Sequence, residues 1–198
     1  MTRLYKLTDA AGRTRNNTQW GPGVTHSGTG TGDLCSEGWI HAYTHPLLAV
    51  LLNPIHANFA EPRLWEAEGD VALDDRGLKV GCKTLTTLRE APVPAVTLEQ
   101  RVRFGILCAR KVCADPTWLT WAERWLSGED RSKENARVAA VVIAAHAIDE
   151  GSCAAAMAAD AGYAYDRYAR VAVAHLAAEI AFRVSPLNLT ALAEESCA

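Results

Sequence analysis

Hydrophobic and polar residues alternate along short segments of the first half of the chain, a period-2 pattern that is typical of half-buried strands. The clearest case is the segment GWIHAY, in which Trp39, His41 and Tyr43 fall on one face and Ile40 and Ala42 on the other. The same pattern predicts further strands at Leu4–Leu7, Leu64–Glu68, Gly77–Val80 and Thr84–Arg89, the last two separated by Gly81 and Cys82.

A short apolar helix is predicted within this half. Thr44 is the expected N-cap, and Pro46 suits the first turn because its missing N–H costs nothing there. The apolar run Leu47–Leu52 continues the helix, which is expected to end before Asn53-Pro54. The segment Gly12–Asp33 is rich in Gly, Thr and Asn and is expected to form a mobile surface loop.

The second half of the chain is predicted to be helical. Thr97 and Gln100 have the spacing of a capping box at the start of one helix. Asp115-Pro116 starts a second helix as cap and first residue, and Gly128 closes it. Within this second helix an aromatic stripe at i, i+3 and i+7 is expected to pack on a neighbouring element rather than on a ligand: Trp118, Trp121 and Trp125.

The chain from Ser132 to Val184 is rich in Ala and predicted to be largely helical, with a break near Gly151 and an end at Ser185-Pro186. Asn188 is the expected cap of a last short helix. Small side chains on several faces allow helices to approach closely, which favours an antiparallel pair or a homo-oligomer. The predicted fold class is α+β: a mostly β domain with one short helix over residues 1–96, followed by a helical scaffold domain over residues 97–198.

Composition and charge narrow the range of partners. The net charge of the 198 residues is −3, and neither half carries a basic block that could neutralise phosphates, so nucleic acid is not an expected partner. The apolar runs are too short to span a bilayer, and no membrane partner is expected. The six Cys have irregular spacings and are expected to be reduced thiols, mostly core residues, in a cytoplasmic protein.

Residue types that carry chemistry concentrate between Asp33 and Glu68. This stretch holds one Cys, three of the six His, two of the six Trp and two carboxylates spaced by two residues. Any chemistry of the protein is therefore expected here. Glu66 and Glu68 would share one strand face about 7 Å apart, a spacing at which paired carboxylates divide acid and base roles only if their environments differ.

The order of motifs resembles a domain-of-unknown-function family that is common in bacteriophage and prophage genomes. The resemblance rests on Trp20-Gly21, the segment LCSEGWIH with its C-x-x-G-W element, the segment LWEAEG, and the strand from Lys79 to Arg89, and it covers most of residues 1–130. The Ala-rich tail is also similar to larger phage members. The resemblance implies a mobile-element origin and a bacterial cytoplasm, but it implies no activity.

The first half also resembles the core of ADP-ribosyltransferase-like folds. A strand with an aromatic–His–Tyr pattern, a helix starting at Pro46 and a strand with Glu carry this likeness. It implies NAD as cofactor, with Tyr43 stacking on nicotinamide and Glu66 or Glu68 stabilising an oxocarbenium-like state. His41 completes the candidate catalytic set. The sequence departs from that family at Lys6, where a nicotinamide-riboside-binding His is expected.

Two binding interpretations remain beside the catalytic one. Soft thiolate and imidazole ligands are what a closed zinc site uses, and such a set could come from Cys35, His41, His45 and His56. The polar loop from Arg13 to Trp20 could instead clamp an anionic ligand, with its guanidinium groups on phosphate and an aromatic ring on a base. Its candidate ligand-binding residues, together with one aromatic residue of the predicted strand, are Arg13, Arg15, Asn17, Trp20 and Trp39. A plain hairpin loop anchored by Trp20 is the structural alternative.

Three function classes follow from these patterns. The first is a phage or prophage accessory protein that binds a host protein or a small nucleotide-like ligand through residues 33–68. The second is a nucleotide-directed enzyme of the ADP-ribosyltransferase type, or another such transferase or glycosidase. The third is a zinc-binding structural protein. The incomplete catalytic constellation favours the first class.

Overall fold

The computed structural model describes residues 3–145, 150–163 and 187–198, together with several positions between 171 and 183. Contacts between Cα atoms divide the chain into two compact units, Met1–Ala95 and Val96–Ala198. The division lies beside the composition change from which two domains were predicted. No helix in the described ranges is long and apolar enough to cross a membrane.

The first unit is built on an antiparallel sheet of five strands. The strands are β1 (Arg3–Thr8), β2 (Thr25–Ser27), β3 (Ile40–Ala42), β4 (Arg63–Asp74) and β5 (Val80–Ala91). Their order is β1-β4-β5-β2, and β3 also pairs with β5. With helices filling the second unit, the predicted α+β class is confirmed.

The sheet curls until its strands meet. Tyr5 of β1 and Tyr43, directly after β3, exchange two backbone hydrogen bonds of 2.8 and 2.9 Å. Strands β1, β4, β5 and β3 therefore form a closed ring. Its inner surface carries a buried apolar cluster: Leu4, Trp20, Ala42, Ala67, Val80, Cys82 and Leu85, with Ile40 packed against it. The predicted alternation of β3 is confirmed, since Ile40 and Ala42 face this cluster.

Strand β5 is continuous where two strands were predicted. It begins at Val80, not Gly77, because Gly77 lies in the tight turn after β4, with φ of 93° and its N–H donating to Asp74 Oδ1 at 2.7 Å. Gly81 and Cys82 do not interrupt β5. The irregularity appears instead in β4, whose register against β5 shifts on both sides of Val71.

The segment between β1 and β3 is more structured than the predicted mobile loop. It contains a 3-10 helix (Arg15–Asn17) and the strand β2, which pairs with β5. Trp20 anchors it from the inner cluster, where its indole N–H donates to Thr14 Oγ1 at 2.9 Å. The aromatic anchor supplies the apolar burial that the Gly- and Thr-rich sequence lacks elsewhere.

Helix α1 (Pro46–His56) differs from its prediction at both ends. The N-cap is His45 rather than Thr44, and Pro46 is in the first turn as expected. The helix also passes Pro54, which lies in the last turn, where only one N–H is missing. Asn53 fixes the chain that follows α1, since its side chain donates to the Phe59 carbonyl at 2.9 Å and accepts from the Phe59 N–H at 3.0 Å.

The second unit contains α2 (Leu98–Ala109), α3 (Pro116–Ser127), α4 (Lys133–Ala145), α5 (Glu150–Tyr163) and α6 (Leu189–Cys197). The predicted capping box at Thr97 is present, as are the caps at Asp115 and Asn188 and the left-handed Gly128. Gly151 lies in the first turn of α5. The predicted break near Gly151 adjoins residues 146–149, and these residues and the predicted helix end at 185–186 lie outside the described residues.

The tryptophan stripe of α3 has the packing role predicted for it. Trp118, Trp121 and Trp125 are all buried. The indole N–H of Trp118 donates to the Ala155 carbonyl of α5 at 2.8 Å. The stripe therefore ties α3 to the helical core of its own unit.

Candidate functional site

A glycine-rich loop between β2 and β3 positions the most exposed reactive residue of the first unit. The loop closes on itself through the Gly30 N–H, which donates to the Gly38 carbonyl at 2.9 Å. A Cβ on Gly38 would lie 1.9 Å from the Thr31 carbonyl oxygen, so only glycine fits there. The loop then packs on β5, where a Cβ on Gly81 would lie 2.5 Å from Leu34 Cδ1. The residue after Leu34 is thereby fixed above the start of β5.

That residue is Cys35, an exposed free thiol. The ammonium group of Lys79 donates to its Sγ at 3.3 Å. Lys79 directly precedes β5, and no carboxylate of the described residues forms an ion pair with it. A half-buried cation whose hydrogen-bond partner is a thiol keeps a positive charge that local structure does not neutralise.

His41 lies beneath the same loop. Its Nε2–H donates to the Leu34 carbonyl in a short hydrogen bond, which ties the imidazole to the peptide preceding Cys35. Burial is the main cause that lowers the pKa of His41 below its ordinary value, and the charges of Lys6 and Lys79 act in the same direction. His41 is therefore a neutral imidazole at pH 7.

Tyr43 and His56 pair on the far side of His41. A 3.0 Å hydrogen bond joins the Tyr43 hydroxyl to His56 Nδ1, and the rings stack with centroids 5.8 Å apart. Burial raises the pKa of Tyr43 and keeps its phenol protonated. Burial also lowers the pKa of His56 to about 4, with further contributions from Lys79 and His41. These mutual charge effects place both imidazoles and the ammonium in one neighbourhood.

We call Cys35, His41, Tyr43, His56 and Lys79 the Cys35 cluster. It unites four residues that were predicted for catalytic or metal-binding roles with a lysine that was not. Sequence reasoning missed Lys79 because more than forty residues separate it from Cys35, and the two meet only where β3 pairs with β5 and the loop before β3 packs over Gly81. Its one sequence signal was its place at the start of the Lys79–Arg89 segment, on which the resemblance to the phage family rests.

The predicted zinc ligands do not form a metal site. Within the described ranges no three His, Cys, Asp or Glu side chains form a group that could hold a metal ion. His41 uses a ring nitrogen on a backbone carbonyl, His56 uses one on Tyr43, and Cys35 contacts an ammonium. His45 lies at the start of α1.

The predicted carboxylates lie outside the cluster. Tyr5 of β1 is paired with Tyr43 on one side and with Glu66 on the other. Tyr43 and Glu66 therefore lie on the same outer face of the sheet, and two strand spacings of about 9–10 Å separate their backbones. Both oxygens of Glu66 accept from Arg89, at 2.8 and 3.0 Å, and this pair lowers the Glu66 pKa. Glu68 follows on the same face, opposite Arg3.

The predicted ligand-binding residues separate into buried tryptophans and exposed polar residues. Trp20 is buried in the inner cluster, and Trp39 is buried with its indole N–H on the Gly32 carbonyl at 2.8 Å, so neither ring is exposed for stacking. The polar residues Arg13, Arg15 and Asn17 are exposed. Arg13 Nε donates to Gln19 Oε1 at 3.2 Å, whereas Arg15 lies 3.6 Å from Glu37 of the Cys35-bearing loop.

Lys6 is the position at which the sequence departs from the ADP-ribosyltransferase-like pattern. It is buried inside the strand ring, with Nζ donating to the His41 carbonyl at 2.7 Å and lying 5.1 Å from the centroid of the Trp20 ring. Burial lowers the pKa of Lys6 to about 8, and the charge of Cys82 opposes this shift. The hydrogen bond from Lys6 thus joins the interior of the ring to β3, the strand that carries His41.

No protein-family model, curated protein or solved structure matches the chain.

Proposed function

We propose that the protein is a binding protein that holds a small anionic ligand of the nucleotide type at the Cys35 cluster. The observation that carries the proposal is the ammonium of Lys79, whose hydrogen-bond partner is the Cys35 thiol rather than a carboxylate. A lysine ammonium is a compact charge that commonly contacts phosphate in proteins. A phosphate oxygen at this position would give Lys79 the counter-charge that it lacks locally.

The surroundings of Lys79 favour a bound anion over a bound cation. Arg15 adds a second cationic group beside the loop, although its ion pair with Glu37 offsets much of that charge. Asp75 is near enough to raise the pKa of His41, but its influence is smaller than those of Lys6 and Lys79. The glycine-rich loop beside Lys79 is closely packed, because its glycines permit close backbone contacts.

Binding is preferred to catalysis because the candidate catalytic groups are already occupied. Glu66 is held by Arg89, and Tyr43 is buried against His56. A general base needs to reach the proton that it abstracts. A role in a phage or a contact with a host protein remains a separate prediction that the proposal does not need.

Calorimetric titration with ATP, AMP and inorganic phosphate tests the proposal. We expect wild type to bind at least one of these anions, and Lys79→Ala to weaken that binding by about tenfold, since a hydrogen bond to a charged group is lost. Lys111→Ala removes the same charge from the second unit and should leave affinity unchanged. Equal affinities for wild type and Lys79→Ala, or no binding of any of the three anions, would rule the proposal out.

A second assay with two other variants separates binding from catalysis. NAD that is incubated for hours with wild type, His41→Ala or Glu66→Ala should remain intact in all three samples. Turnover in wild type that disappears in both folded variants would replace the binding proposal with the enzymatic one.

A further inference from the structure

A second site lies wholly within the helical unit, between α3 and α4. The structure has a cavity of about 480 Å³ there, open to solvent along one side. This volume falls within the range of small-molecule sites in proteins, about 300–1,000 Å³. The cavity has an apolar wall and a charged mouth.

The apolar wall comes from both helices. α3 contributes the ring of Trp121, and α4 contributes Val138, Ala139 and Val142. Val138 is half exposed, whereas Ala139 and Trp121, which also line the cavity, are buried. The exposed side chain of Val138 gives an apolar or aromatic ligand a surface that water covers in the free protein.

The mouth carries Arg124 and Asp130. Arg124 is already engaged, since its Nε donates to Glu129 Oε1 at 2.9 Å. Asp130 accepts from the Ser132 N–H at 2.9 Å and from the Asn135 amide in a short hydrogen bond. Hydrogen bonds from the Ser132 side chain, the Ser132 N–H and the Asn135 amide lower the pKa of Asp130 to about 2, with a smaller effect from the charge of Arg124, and keep Asp130 ionised.

The charge balance at the mouth therefore favours a positive ligand. Glu129 offsets Arg124, which leaves the carboxylate of Asp130 as the remaining charge beside the cavity. Hydrogen bonds from Ser132 and Asn135 leave part of the carboxylate's acceptor capacity, about four sites in all, for a ligand.

We infer that the α3–α4 cavity binds a small amphiphilic cation, with an apolar or aromatic body on Val138 and Val142 and an ammonium group at Asp130. The site is independent of the Cys35 cluster, which belongs to the other compact unit.

Matched probes test the inference on the full-length protein. 4-Phenylbutylammonium, 4-phenylbutyrate and 4-phenylbutanol share one body and differ in charge, and their affinities are measured by calorimetry. We expect the ammonium probe to bind most tightly. Asp130→Asn keeps the acceptor for the Ser132 N–H and should weaken the ammonium probe by about tenfold while leaving the alcohol nearly unchanged.

Two further variants complete the design. Glu134→Gln removes one negative charge from α4 outside the cavity lining and should leave the ammonium affinity as in wild type. Ala139→Leu fills the cavity and should abolish binding of the ammonium and alcohol probes, with circular dichroism confirming the helices. The inference fails if the butyrate probe binds best, if Asp130→Asn binds the ammonium probe as wild type does, or if a folded Ala139→Leu still binds it.

Discussion

The buried ammonium of Lys6 makes a quantitative prediction for Lys6→Met. The methionine side chain has similar length and no charge, so the change removes the ammonium from the strand ring while keeping most of the packing. The hydrogen bond to the His41 carbonyl, 2.7 Å long in wild type, is lost at the same time. The two effects have opposite signs and respond differently to pH.

The magnitude follows from the pKa. Burial lowers the pKa of Lys6 from 10.5 to about 8, which corresponds to a cost of about 3.4 kcal/mol for keeping the charge in the folded state. Below pH 8 the folded and unfolded states are both protonated, so the full cost applies. Between pH 8 and 10.5 the folded state loses its proton first, and stability rises with pH. Losing the hydrogen bond of a neutral amine costs about 1 kcal/mol at any pH.

Lys6→Met should therefore be more stable than wild type by about 2 kcal/mol at pH 7 and less stable by about 1 kcal/mol above pH 10.5, with the sign changing near pH 10. Urea unfolding of protein labelled with 5-fluorotryptophan measures this, because the fluorine signals of Trp20 and Trp65 report the first unit alone. Lys83→Met, at an exposed position of β5, is the matched control and should show no such pH dependence. A constant destabilisation by Lys6→Met from pH 7 to 10.5 would refute a buried, charged Lys6.

Three further predictions concern the Cys35 cluster and its loop. Burial lowers the pKa of His56 from 6.5 to about 4, so wild type should lose up to about 3 kcal/mol of stability as the pH falls from 6.5 to 4. Urea titrations of His56→Gln should not show this loss. Gly38→Ala places a methyl group against the Thr31 carbonyl and should destabilise the first unit by about 1–3 kcal/mol. Gly21→Ala is the control and should be neutral, because its Cβ would lie 3.7 Å from its nearest neighbour, Val24 Cγ2. Equal unfolding midpoints for the two variants would contradict the close packing at Gly38. Cys35 should react first with Ellman's reagent, and a fast phase that persists in Cys35→Ser would show that another thiol is the accessible one.

Local patterns predicted the elements of the fold better than their assembly. The alternation in β3 identified which residues face the core, because a side-chain period of two depends only on neighbours in sequence. The capping box at Thr97 is likewise a local pattern, and it is present. The pairing of Tyr5 with Tyr43, which closes the strand ring, joins distant residues and has no signature in either segment.

The candidate site shows the same limit. Cys35, His41, Tyr43 and His56 were singled out by residue type, and the structure does bring them together. Lys79 was missed because its contact with Cys35 depends on the loop packing over Gly81, a tertiary feature. Residue type also could not show that Glu66 would be neutralised by Arg89, since that pair depends on the register of β4 against β5.

Chemical-shift mapping of the bound anion tests the central claim most directly. Backbone amide spectra of uniformly ¹⁵N-labelled protein are recorded during titration with ATP and, separately, with inorganic phosphate. We predict saturable shifts concentrated at residues 34–41 and at Lys79, with little change in the second unit, and their loss in Lys79→Ala. Saturable shifts that fall elsewhere, or spectra that do not change at millimolar anion, would contradict a binding site at the Cys35 cluster.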